Sequence, residues 1–166
     1  MISTQLSRRN FATRFAAFFS GVGLAGAFGK TAAASSHKNT VQKMDYDGKP
    51  ASKGFITPVI VYDGVIYIAG QGAHSHDSGD ISMDIESHSK KVMENVKTLV
   101  ETGGGTMDSI LQLTVFLTTI DNYDGLNKVF KTYFPNGGPA RTCVAVAALP
   151  GNSLVEINCT AAVVRK

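Results

Sequence analysis

Arg141 and Glu156 are the single charges in two otherwise apolar runs near the end of the chain, Pro139 to Pro150 and Leu154 to Val164. A charge placed among small apolar and β-branched side chains is costly unless it meets a partner or a ligand. A guanidinium holds a carboxylate through two parallel charge-assisted bonds and does not lose its proton. A carboxylate beside such an anchor can position water or carry a proton. The two together suit a small organic acid: gripping its carboxylate fixes the neighbouring carbon for attack by water. The plainer reading is an ion pair, either between Arg141 and Glu156 or with a carboxylate of another subunit.

The elements around this pair follow from local pattern. Thr142 to Ala148 reads as a buried or half-buried strand, and Leu154 to Val164 as a second one. Pro150-Gly151-Asn152-Ser153 between them is turn chemistry, so the two runs are expected to form a hairpin. Upstream, Asp63-Gly64 separates Thr57 to Tyr62 from Val65 to Ala69, a strong hairpin signal. Gly70-Gln71-Gly72 then requires free φ or close backbone approach. Asp84 is a helix N-cap with Glu86 in the first turn, and Ile85, Val92, Val96, Leu99 and Gly103 share one face. Gly103-Gly104-Gly105 ends that helix. A strand over Ser109 to Leu117 follows. A second helix, from Tyr123 to Phe134, has Leu126, Phe130, Tyr133 and Phe134 as its apolar face. The order β-β-α-β-α-β-β predicts an α+β domain with two helices on one face of a mixed sheet. The other face keeps apolar side chains, which predicts burial against further copies.

The chain has 166 residues and a formal net charge of +3. Residues 1–34 read as an address: Ser7-Arg8-Arg9-Asn10-Phe11 is a twin-arginine pattern, Phe15 to Phe28 is apolar, and Ala32-Ala33-Ala34 is a cleavage site. The apolar run is too short for a membrane span, so no stable membrane insertion is expected. The address implies export by the twin-arginine route to the periplasm. An uncleaved tethering N-terminus is the alternative. Residues 35–51 form a polar linker into a short edge element, and 52–166 form the domain. The address holds four of the 16 basic residues and no acidic one, leaving 12 against 13, a net charge of −1. The basicity therefore gives no ground for a nucleic-acid partner.

Other clusters carry less. His74-Ser75-His76-Asp77 lacks a distant ligand pattern, so no metal is expected there. Gly103-Gly104-Gly105 closes a helix and should not cradle phosphate. Cys143 and Cys159 could reach across the expected hairpin; two small thiols filling a tight core is the simpler account. Cys143 has no histidine fixed beside it and is not expected to be a nucleophile.

Pro139-Ala140-Arg141-Thr142-Cys143-Val144-Ala145-Val146-Ala147-Ala148-Leu149-Pro150, then Val155-Glu156-Ile157, resembles the C-terminal signature of the Rid (YjgF/RidA-like) reactive intermediate deaminases. Ile68-Ala69-Gly70-Gln71, Leu113-Thr114-Val115-Phe116-Leu117 and Leu126-Asn127-Lys128-Val129-Phe130 extend the likeness over residues 52–166 in one register. The resemblance implies a chorismate-mutase-like fold and a homotrimer with clefts between subunits. It implies cofactor-free hydrolysis of 2-imino acids or enamines, such as 2-iminobutanoate and 2-iminopropanoate, to 2-keto acids and ammonia. It implies that Arg141 grips the carboxylate, Glu156 positions or activates water, and Cys143 lines the cleft with its main chain. Asn127 and the Gly70 backbone would stand near the ligand. Phe55 takes the place of a tyrosine and keeps the ring without the hydroxyl. Ala69 replaces a common serine, Asn158 a common acidic residue, and Gly138 a common aromatic or aliphatic one. Two alternatives accompany this expectation: a trimeric binder of small carboxylic acids without turnover, and a holdase-like interaction protein.

Overall fold

The computed structural model describes residues 40–73 and 84–164. The twin-arginine segment and the His74–Asp77 loop lie outside the described residues. Six strands form one sheet: β1 (Gln42–Met44), β2 (Val59–Tyr62), β3 (Val65–Gly72), β4 (Ile110–Leu117), β5 (Ala140–Ala145) and β6 (Val155–Ala162). Their spatial order is β1-β2-β3-β6-β4-β5. Only the β4–β5 pair is parallel. Helices α1 (Ile85–Thr102) and α2 (Tyr123–Tyr133) cover one face. Among the described residues no helix is long and apolar enough to cross a membrane.

Local chemistry sets the turns. Asp63 and Gly64 both have positive φ, 50° and 78°, the geometry a two-residue hairpin requires. The Asp84 carboxylate accepts from the Ser87 N–H at 2.8 Å and caps α1. At the other end the Gly104 N–H bonds the Glu101 carbonyl and the Gly105 N–H bonds the Val100 carbonyl, with Gly104 at φ 87°. That pair of bonds is a Schellman stop, and a left-handed residue makes glycine the natural occupant.

The expected hairpin of the last two runs does not form. β5 pairs in parallel with β4, with Arg141 opposite Leu113. β6 pairs antiparallel with β3 on one side and β4 on the other. The Pro150–Ser153 turn is present, with Gly151 at φ 62° and Asn152 at φ 55°, but the connection steps over β4. The Val146 N–H bonds the Leu117 carbonyl at 2.8 Å, and the Thr118 N–H bonds the Leu154 carbonyl at 3.1 Å, tying both ends of that connection to the end of β4. A β4–α2–β5 crossover satisfies the backbone of β5 first, so β6 takes the other edge of β4. The apolar run of β5, which reads as buried or half-buried, forms the sheet edge: Arg141 and Cys143 are half-buried, and Thr142, Val144 and Ala145 are exposed. Cys143 and Cys159 both face the helices but flank β4, opposite Val115 and Leu113. Two strand spacings, about 9.5 Å, exceed the reach of a disulfide. Both are free thiols, and burial pushes Cys159 up to about 12.

The core lies between sheet and helices: Ile66, Met93, Leu99, Leu113, Leu117, Leu126 and Ile157 are its largest fully buried side chains. Apolar periodicity did not mark His88 and Ser89, yet both are buried in α1. The His88 Nδ1 accepts the Leu154 N–H at 3.0 Å and so pins the start of β6. Burial holds this imidazole below its ordinary pKa of 6.5, against the pull of Asp84. A ring accepting at Nδ1 is neutral, so protonation removes the bond. The folded value is depressed. The contribution is therefore complete above 6.5 and is lost as pH falls through the folded value. The urea midpoint should drop as pH falls below 6.5. The His88→Gln chain, which accepts but does not titrate, should show a flatter profile.

Candidate functional site

Arg141 projects from the edge strand onto the helix face of the sheet. Its Nη2 donates to the Tyr123 hydroxyl at 3.1 Å. Its Cζ lies 4.6 Å from the Phe130 ring centroid and 5.5 Å from that of Tyr123. Stacking of this kind holds a guanidinium plane while leaving its edge free for an anion. Tyr123, Asn127 and Phe130 recur at helical spacing, so Asn127 shares the face of α2 that meets Arg141. Cys143, two residues further along β5, is on the same side of the sheet and half-buried. Burial raises its thiol above the ordinary value and Arg141 pulls the other way. A thiol held protonated is a poor nucleophile, which agrees with a lining role rather than an attacking one.

Glu156 belongs to a second cluster. In β6, Val155, Ile157, Cys159 and Ala161 are buried beneath the helices, while Glu156 alternates to the open face. It stands opposite Phe116 of β4 and Gly72 of β3. The register of β3 against β6 shifts between Ile68 and Gln71, which makes a bulge at Ala69 and Gly70. The buried Gln71 side chain fixes that bulge: its Nε2 donates to the carbonyls of Ala69 at 3.0 Å and Gly70 at 3.1 Å. A Cβ on Gly70 would run into the Glu156 carboxylate, with Cδ at only 3.0 Å. The Gly-Gln pair therefore has two separate tasks, the glycine making room for a carboxylate and the glutamine shaping the backbone around it. Gly70 does not need positive φ, so alanine is conformationally allowed there. Gly70→Ala should leave the melting temperature almost unchanged, because the obstructed group is the end of a flexible side chain. It should displace the Glu156 carboxylate, read as a shift of the Glu156 side-chain NMR signals beside a thermal melt.

The two clusters lie on opposite faces of one sheet. Leu113 is paired with Arg141 and with Cys159 under the helices, whereas Phe116 is paired with Glu156 on the other side. An ion pair between Arg141 and Glu156 within one chain is thereby ruled out. Phe55 precedes β2 and is fully exposed beside the exposed Ile56. Tyr67 and Val144 add exposed apolar surface on the Glu156 face. The chain thus brings Arg141, Cys143 and Asn127 together, brings Gly70 and Glu156 together, and leaves Phe55 free of both. Sequence reasoning missed Tyr123 and Phe130 as site residues. Their seven-residue spacing was visible, but an aromatic helix face reads first as core.

Known proteins share this fold. The family model described as Endoribonuclease L-PSP matches residues 48–163. A RutC family protein from Pyrococcus abyssi is 31% identical over 113 residues, covering 68% of this chain and 89% of the relative. A crystal structure of YyfA from Yersinia pestis, a protein of the conserved Rid family, superimposes with a TM-score of 0.67 at 33% identity, over 75% of this chain and 100% of that one. The structure of Escherichia coli TdcF with bound serine gives a TM-score of 0.64 at 27% identity, over 73% and 98%. Matched from residue 48 to residue 163, through the last strand, the chain belongs to the Rid/YjgF family, which also carries the description Endoribonuclease L-PSP.

Proposed function

We propose that this protein hydrolyses 2-imino acids and their enamine tautomers to 2-keto acids and ammonia, without a cofactor, in clefts between the subunits of a homotrimer. The observation that carries the proposal is the split of the site. An arginine fixed on aromatic rings lies on one face, and a carboxylate in a niche made by Gly70 lies on the other. One chain cannot close both around a ligand. A neighbouring copy laid against the exposed apolar face supplies the missing half. Serine bound to TdcF is an α-amino acid with a free carboxylate, which fits an arginine anchor.

In this reading Arg141 of one subunit grips the substrate carboxylate. Glu156 of its neighbour accepts a proton from water as the water oxygen bonds to the imine carbon. The C=N π pair moves to nitrogen, and Glu156 passes the water proton to it, giving a neutral carbinolamine. Glu156 then takes the carbinolamine hydroxyl proton as the C=O bond forms and delivers it to the departing nitrogen, so that the C–N bond breaks, ammonia leaves and Glu156 is again a carboxylate. Phe55, fully exposed in the single chain, would supply apolar wall once a neighbouring copy is in place. Export on the N-terminal address would put the reaction in the periplasm; a full-length protein confined to the cytoplasm would refute that part.

An amino-acid oxidase generating 2-iminobutanoate in the presence of the protein tests the activity. Imine disappearance should accelerate in proportion to added protein, and sedimentation should give three copies. An unaltered rate, together with saturable binding of 2-oxobutanoate, would leave a binder in place of an enzyme.

A further inference from the structure

We infer that Tyr123 is a positioning residue that sets the direction in which Arg141 presents its guanidinium edge, an inference that rests on Arg141 being the carboxylate anchor. A guanidinium has five N–H donors in a fixed plane. Two restraints are needed to aim it: one on the plane and one on rotation within the plane. The Phe130 ring, 4.6 Å from Cζ, supplies the first. The Tyr123 hydroxyl, accepting from Nη2 at 3.1 Å, supplies the second. Nη2 keeps its second N–H, which together with the neighbouring Nη1 or Nε donor leaves a two-donor edge for a bidentate carboxylate.

Local sequence builds this support. Thr119 Oγ1 accepts the Asp121 N–H at 3.3 Å and donates to the Asp121 carboxylate at 3.1 Å. The Tyr123 N–H bonds the Ile120 carbonyl, so the turn delivers Tyr123 as the first residue of α2. Gly138 clears the space on the other side, since a Cβ there would lie 3.2 Å from Phe130 Cε1. The ring can thus stay beneath Arg141. This gives Gly138, which departs from the family pattern, a physical role.

Tyr123→Phe keeps the ring and the helix start and removes only the acceptor. The Kd for 2-oxobutanoate and the KM for 2-iminobutanoate should each rise about five- to twentyfold. The kcat should stay within about twofold, because the proton step belongs to Glu156 of the neighbouring copy and not to the Tyr123 contact. Equal Kd values in wild type and variant, with Arg141→Ala still abolishing binding, would overturn the role of Tyr123 and leave the anchor intact. If wild type and Arg141→Ala bind alike, the anchor itself fails. The Tyr123 contact is then decided by NMR of the Arg141 side chain. Resolved Nη proton signals in wild type that merge in Tyr123→Phe support it; merged signals in both chains refute it.

Discussion

Arg141→Ala should lower kcat/KM for 2-iminobutanoate by about 10²- to 10³-fold, because it removes two charge-assisted bonds to one carboxylate. The loss should appear mainly in KM and in the Kd for the keto-acid product. Arg141 sits on an edge strand over the outer side of α2 and is only half-buried. Its removal leaves the core among Leu113, Leu126 and Ile157 untouched. The melting temperature should therefore move by only a few degrees. Arg141→Lys keeps the charge but not the fork, and should recover a minor part of the affinity. An Arg141→Ala chain with wild-type kinetics would end the proposed mechanism.

Glu156→Gln should act on the other parameter. Glutamine fills the same niche above Gly70 but cannot take a proton. The kcat should fall by about 10²- to 10⁴-fold, with keto-acid binding changed less than about threefold. The opposite-face geometry then allows a sharper experiment. At a substrate concentration well below KM, Arg141→Ala and Glu156→Gln should each retain about one per cent of wild-type activity or less. When the two are co-expressed, about one cleft in four should receive both wild-type side chains from adjacent subunits. Activity should reappear in the mixed oligomer and be absent when the two purified proteins are combined without subunit exchange. No recovery in a verified mixed oligomer would place both residues in one subunit's site, against the proposal.

Much of this was legible in the sequence where chemistry is local. The Asp63-Gly64 turn, the Asp84 cap and the triple-glycine stop each depend on φ or on one hydrogen bond within a few residues. Helix faces were legible because burial repeats with the helical period. Strand partnership was not. The composition of Thr142 to Ala148 states that it can be a strand, and nothing in it chooses β4 over β6. That choice is made by a crossover helix and by the edge left open beside β4. His88 and Ser89 escaped for a related reason: polar side chains inside a core break an apolar pattern, and only the neighbouring strand reveals what His88 is bonded to. In the site, Arg141 and Glu156 stood out as lone charges. Their separation to opposite faces followed only once register with β4 was known. Tyr123 was hidden because its hydroxyl matters through a contact 18 residues away.

The strand made last, β6, lies in the middle of the sheet between β3 and β4. Among the described residues it is the only strand that joins the first three to the fourth and fifth. During synthesis, then, the two sections of sheet have no edge in common until residues 155–162 have cleared the exit tunnel. A stop before Val155 would leave them joined through α1, which packs on β3 and on α2, with no strand bridging the gap.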